Sequence, residues 1–132
     1  MILIDTSAWV EYLRGTGSRV DAEVRRLIED TVPIATTDVV VMELLAGARD
    51  EQHAAHLRRM ALSLDYRPMV GLLDFEQAAS LYRLCRRAGE TVRSLMDCLV
   101  AGVAMREGLS VLAHDRDFEV IARHGGLELV EP

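Results

Sequence analysis

The sequence predicts one α/β domain over residues 1–132, with a mainly parallel central sheet of four to five strands flanked by helices. Three observations predict it. Short apolar runs suited to buried strands alternate with longer segments whose apolar residues recur at helical spacing. Ser, Thr or Asp stands where several of these runs give way to a helix, and Gly stands where several helices stop. At 132 residues the chain can bury one core but not two independent ones, and it carries no repeat or low-complexity tract.

Met1 to Ile4 is the first strand, closed by Asp5, and Thr6 and Ser7 start a helix that runs from Ala8 to Arg14. After a Gly/Ser loop at Gly15 to Ser18, the spacing of Val20, Val24, Leu27 and Ile28 predicts a second helix. Pro33 to Thr36 is a second strand; Thr37 and Asp38 open a helix through Ala46 that stops near Gly47. A polar helix is expected from Glu51 to Leu64, then a weak strand over Tyr66 to Val70 that Pro68 interrupts. Phe75, Ala78, Ala79, Tyr82 and Cys85 line one face of the next helix, ending at Gly89. Leu95, Cys98, Leu99, Gly102 and Val103 mark another, where Ala101, Gly102 and Ala104 permit a close neighbour and Gly108 ends the helix. Ser110 to Ala113 and Leu127 to Val130 are the last two strands, with a short helix around Phe118 to Arg123 between them.

Half the residues are apolar, yet none of the apolar stretches is long enough to cross a bilayer, and no charged region precedes a cleavable apolar segment at the N-terminus. A soluble cytoplasmic protein without membrane attachment is expected. Cys85 and Cys98 fit neither a metal knuckle nor a disulfide framework and read as core residues. All fifteen basic residues are arginine, so any mechanism that needs a lysine is excluded. A formal charge of −6 argues against a generic polyanion binder, because non-specific nucleic-acid affinity comes from basic surface.

In open parallel sheets ligands bind beyond the carboxyl ends of the strands, which draws attention to the acids there. Asp5 follows the first strand, and Asp115 and Asp117 follow the strand Ser110 to Ala113. Each also has a plainer reading as a helix cap. Glu43 interrupts a segment, Val39 to Ala46, that is apolar almost all round; burying it demands a cation partner, a polar cleft or a salt bridge to arginine. Asp97 is the last residue of Ser94-Leu95-Met96-Asp97, which doubles as an imperfect capping box. Brought within about 4 Å of one another, such carboxylates would repel by about 4 kcal/mol per pair at an effective dielectric near 20. A divalent cation relieves that repulsion, and oxygen-only ligands favour Mg²⁺ or Mn²⁺ over zinc.

Ile4-Asp5-Thr6-Ser7, Met42-Glu43-Leu44, the stretch Ser94 to Ala101 and the stretch Leu112 to Phe118 resemble the successive motifs of PIN-domain ribonucleases. More narrowly, they resemble VapC-type toxins of bacterial toxin–antitoxin pairs, and the likeness covers almost the whole chain. The resemblance implies a PIN-like fold and Mg²⁺ held, directly or through water, by Asp5, Glu43, Asp97 and Asp115. Asp117 is a fifth candidate, and Thr6 and Ser7 support the site by hydrogen bonding. Many relatives carry threonine where this chain has Ala113, so a supporting hydroxyl is missing there.

The implied reaction is endonucleolytic hydrolysis of RNA by metal-activated water, leaving 5′-phosphate and 3′-hydroxyl ends and inhibiting translation or growth. It needs no protein nucleophile, and His53, His56, His114 and His124 are expected to be spectators. Arg86, Arg87, Arg93 and Arg116 are the candidate RNA contacts. The resemblance further implies a homodimer and a cognate antitoxin that blocks the acidic site in a hetero-oligomer. Two other readings compete: a catalytically silent PIN-type binding module, and a phosphotransfer domain of receiver or haloacid-dehalogenase type. The second is expected to use a lysine, and this chain has none.

Overall fold

A computed structural model describes residues 1–132. Its four strands are β1 (Ile2–Ile4), β2 (Ile34–Thr36), β3 (Asp65–Tyr66) and β4 (Ser110–Leu112), in the order β3-β2-β1-β4 and all parallel. Parallel neighbours need long crossovers, and here each crossover is a pair of helices. α1 (Thr6–Arg14) and α2 (Arg19–Glu29) link β1 to β2; α3 (Asp38–Ala46) and α4 (Glu51–Leu62) link β2 to β3. α5 (Gly71–Arg87) and α6 (Leu95–Glu107) lead to β4, and α7 (Arg116–Gly125) follows it.

The sheet is short but wholly buried at its centre, with Leu3, Ile4, Ala35, Val111 and Leu112 fully enclosed, as a sheet covered on both faces requires. α6 is the innermost helix: Asp97 to Ala104 are buried without a break, so it has no solvent face at its centre. α5 packs along it, with the Gln77 side chain over Gly102 at a distance that would still admit a Cβ there, so the close approach expected at that small-residue stretch is not required at Gly102. Buried Asp74 of α5 takes two bonds from the Arg106 guanidinium of α6, at 2.9 and 3.0 Å. Cys85 and Cys98 are buried and unpaired with each other, as core residues.

Two strand expectations need correction. Leu127 to Val130 makes only an isolated parallel bridge, Leu129 to Val111. β4 has three residues, and in a parallel ladder alternate residues bond to opposite sides, so Val111 alone turns its N–H and C=O outward. Those two groups bond Glu128 and Val130 at 2.9 Å each, and the edge is then used up. The weak strand over Tyr66 to Val70 shrinks and shifts to Asp65–Tyr66. The Arg67 N–H still reaches the Thr36 carbonyl at 2.8 Å, but the next N–H on that side, of Met69, goes to the Asp38 carboxylate at 2.6 Å instead of continuing the ladder. No helix is long and apolar enough to cross a membrane.

Candidate active site

Asp5 leaves the end of β1 as the N-cap of α1, so the plain and functional readings of this residue are both realised. One carboxylate oxygen, Oδ2, accepts the Ser7 N–H at 3.0 Å and the Ser7 hydroxyl at 2.6 Å. The other, Oδ1, is buried with no partner. Ser7 Oγ also accepts the His114 N–H at 2.9 Å, so a single hydroxyl ties Asp5 to the turn that carries Asp115. Burial raises the Asp5 pKa, and repulsion from Glu43 adds to it, against the opposing bonds from Ser7.

Ser94 caps α6 through the Met96 N–H at 3.2 Å, as the capping motif predicts. The reciprocal half of the box is absent, because the Ser94 N–H is taken by Asp117 at 3.0 Å. Asp97 is thereby released from capping duty, and its buried Oδ2 has no partner. Burial, a hydrogen bond with Asp117 and repulsion from Asp5, Asp115 and Asp117 push its pKa up to about 9.

Asp115 caps α7 by accepting the Asp117 N–H at 2.9 Å and keeps a third of its side chain open to solvent. Asp117 is 1% exposed and behaves in the opposite way to Asp97. Burial would raise its pKa, but the Arg93 N–H (3.1 Å to both oxygens), Asp97 and the Ser94 N–H outweigh it, and the pKa is lowered. Asp97, Asp115 and Asp117 each offer an oxygen, and the three lie within 4.8 Å of one another.

Of the three settings expected for Glu43, the structure shows the polar cleft. The residue is half-buried rather than enclosed, makes no salt bridge to arginine, and accepts the Thr6 hydroxyl at 2.8 Å through Oε1. The apolar run around it is not evenly covered: Val39, Val40 and Leu44 are buried, whereas Met42 is half-exposed. Its setting therefore does not by itself demand a cation. The acids form a row rather than one knot: Glu43 acts on Asp5, Asp5 on Asp97, and Asp97 meets Asp115 and Asp117.

Of the arginines singled out, Arg93 reaches the acids, at 3.5 Å from Asp115 and 3.6 Å from Asp117. Arg116 lines a cavity of about 350 Å³ together with His114 and Asp115. Arg86 lies 5.7 Å from the Tyr82 ring at the end of α5, and neither it nor Arg87 touches an acid of the row. A different set flanks the Glu43 end: Arg14, Arg49, His53 and His56 line a cavity of about 550 Å³ that also contains Thr6 and Glu43. A signal for them exists in the sequence, since positions 49, 53 and 56 are spaced to share one face of a helix and its entry.

The donor set fits a hard divalent cation. Two buried carboxylate oxygens, on Asp5 and Asp97, lack any partner, a costly state that a cation would relieve. The donors are all oxygens, with no imidazole or thiolate among them.

The PIN-domain family model matches residues 2–124, a span that includes every acid of the row. This chain belongs to the PIN-domain family. Within that family its curated relatives are VapC proteins. The VapC ribonuclease of Mycobacterium bovis and ribonuclease VapC11 of Mycobacterium tuberculosis are each 49% identical over 97% of this chain and 96% of their own length. Solved PIN folds superpose on it along almost the whole chain. M. tuberculosis VapC20, described as a Sarcin-Ricin loop cleaving toxin, matches with a TM-score of 0.72 at 24% identity, covering 100% of both chains. The DNA-bound VapBC complex of Salmonella typhimurium matches with a TM-score of 0.76 at 20% identity, over 98% of this chain and 96% of that one. At those identities the solved structures establish the PIN fold, and the α/β architecture with its parallel sheet agrees with it.

Proposed function

We propose that this PIN-domain protein is a Mg²⁺-dependent endoribonuclease, with Mn²⁺ able to substitute, and the toxin of a cytoplasmic toxin–antitoxin pair. The observation that carries the reading is the pair of unpartnered, buried oxygens, Asp5 Oδ1 and Asp97 Oδ2, in a row of acids at the carboxyl edge of the sheet. Asp5, Asp97 and Asp115 are the proposed metal ligands, with Glu43 acting directly or through water. A bound Mg²⁺ would supply Lewis-acid stabilisation of the scissile phosphate and a lower pKa for the attacking water.

The remaining work falls to this chain's own residues. Asp97 has to give up its proton before it can act as a ligand, which links metal binding to pH. Ser7 orients Asp5, and its hydroxyl is engaged on both sides, so it is not a nucleophile and water fills that role. Asp117, with both oxygens taken by backbone N–H groups, fixes the turn before α6 rather than contributing a free ligand. Arg93 stands beside Asp115 with most of its side chain exposed and is placed to meet a phosphate. Thr6 holds one oxygen of Glu43 and leaves Oε2 free of any protein partner.

The toxin assignment is supported by the named curated relatives and by neighbours solved as toxin–antitoxin complexes. By the same likeness we propose a homodimer, a cognate antitoxin in a hetero-oligomer, and inhibition of translation or growth. Single-turnover cleavage of a broad RNA pool, with Mg²⁺ and with EDTA, tests the activity. Products that require Mg²⁺ and carry 5′-phosphates are expected. Well-folded protein that yields none would make the chain a silent PIN-type binding module.

A further inference from the structure

The Glu43 end of the acid row opens into the cavity of about 550 Å³ between α1, α3 and α4, and this cavity has a chemistry of its own. Arg14 ends α1 and Arg49 precedes α4; both are exposed, and neither guanidinium is held in a salt bridge. Arg25, Arg26, Arg67, Arg93, Arg106 and Arg123 have carboxylate partners, whereas Arg14 and Arg49 line this cavity with none. His53 Nδ1 accepts the Arg49 N–H at 3.1 Å, which leaves the proton of the neutral ring on Nε2 and makes that nitrogen a donor. His56 stands one turn further along the same face. Leu13 and Leu57 supply apolar wall. Unpaired cationic groups and donors over an apolar wall suit an anionic ligand with a flat apolar body, and the volume lies in the range of small-ligand sites.

We propose that this cavity is a nucleotide subsite. It receives one unstacked nucleotide of a single-stranded or looped RNA next to the scissile phosphate, with Arg14 and Arg49 on its phosphates and His53 donating to it. The inference rests on the ribonuclease reading and names its substrate class. Continuity with Glu43 and Thr6 sets the subsite directly against the row of acids, so a strand entering there runs toward Asp5 and Asp97. A base held in such a cleft must leave its stack, which favours single strands over A-form duplex.

The test is binding of a fluorescently labelled single-stranded RNA pool and of a duplex of equal length, followed by anisotropy across a salt series. It compares the wild-type protein with Arg14→Glu, Arg49→Glu, Arg49→Gln and His53→Ala. Arg83→Glu, on α5, carries the same charge change away from the cavity. The expected result is roughly tenfold weaker single-strand binding and a shallower salt slope for Arg14→Glu and Arg49→Glu. Arg49→Gln and His53→Ala should lose less, Arg83→Glu should change little, and the duplex should bind worst. Equal losses in Arg83→Glu, undiminished binding in the cavity variants, equal binding of duplex, or no RNA binding by the wild-type protein would each overturn the subsite. Cavity variants that bind RNA normally but lose a protein partner would assign the cavity to that partner instead. Parallel cleavage assays keep the two proposals apart: cleavage with unaffected cavity variants sinks only the subsite. Binding that depends on the cavity without cleavage sinks only the nuclease.

Discussion

The two ends of the acid row place the same functional group in opposite situations. At the Asp97 end, three carboxylates crowd within 4.8 Å, one of them is driven up to about pKa 9, and a buried oxygen goes unbonded. At the Glu43 end, a single half-buried carboxylate is satisfied by the Thr6 hydroxyl and looks into a cavity lined by arginine and histidine. The first arrangement is unfavourable by itself and would be relieved by a cation; the second has one oxygen already bonded and none buried without a partner. Electrostatic cost therefore concentrates at the Asp97 end, and a hydroxyl-to-carboxylate hydrogen bond holds the adjoining wall.

The sharpest way to break this comparison is Asp97→Asn. It should reduce RNA cleavage by more than the roughly 10- to 100-fold typical of losing an outer partner of a metal site. The same change should stabilise the metal-free protein. Because the folded-state pKa of Asp97 lies above its unfolded value of 3.8, its stabilising contribution is complete below about pH 4 and is lost as pH rises toward about 9. Metal-free wild-type protein should accordingly lose stability over that window, and Asp97→Asn should flatten the decline. Denaturant melts at pH 5 and pH 8.5 in EDTA decide it; a wild-type protein no less stable at the higher pH, relative to Asp97→Asn, would contradict it.

Asp117, next to Asp97, should respond in the opposite sense. Asp117→Ala strips acceptors from the Arg93 and Ser94 N–H groups, and an expected cost of about 2–3 kcal/mol should appear in urea melts with or without metal. A stabilised Asp117→Ala would erase the distinction between clamp and ligand. Thr6→Val, at the Glu43 end, should cost only about 0.5–1.5 kcal/mol, with a correspondingly small fall in cleavage. A loss as large as that of Asp97→Asn would mean that the two ends are not different in kind.

Most of the fold is legible from local signals. Asp5, Ser94 and Asp115 start the helices their residue types favour, and Gly15, Gly108 and Gly126 end helices at positive φ. Illegible features depend on partners distant in sequence. Leu127 to Val130 has the composition of a strand, yet what β4 can offer it is set by the pairing of β4 with β1. The setting of Glu43 depends on Thr6, 37 residues away, and a segment's apolar content cannot reveal it. Asp97 and Asp117 look alike in sequence, and only the turn at Arg93 and Ser94, packed against α7, makes one a clamp and leaves the other unsatisfied.

The claim that these acids share a cation site is tested most directly by Mg²⁺-dependent melting of the wild-type, Asp5→Asn and Asp97→Asn proteins. At about 100 times its dissociation constant, Mg²⁺ should add roughly 2.7 kcal/mol to the wild-type protein and little to either variant. An equal Mg²⁺-induced gain in all three proteins would contradict the account.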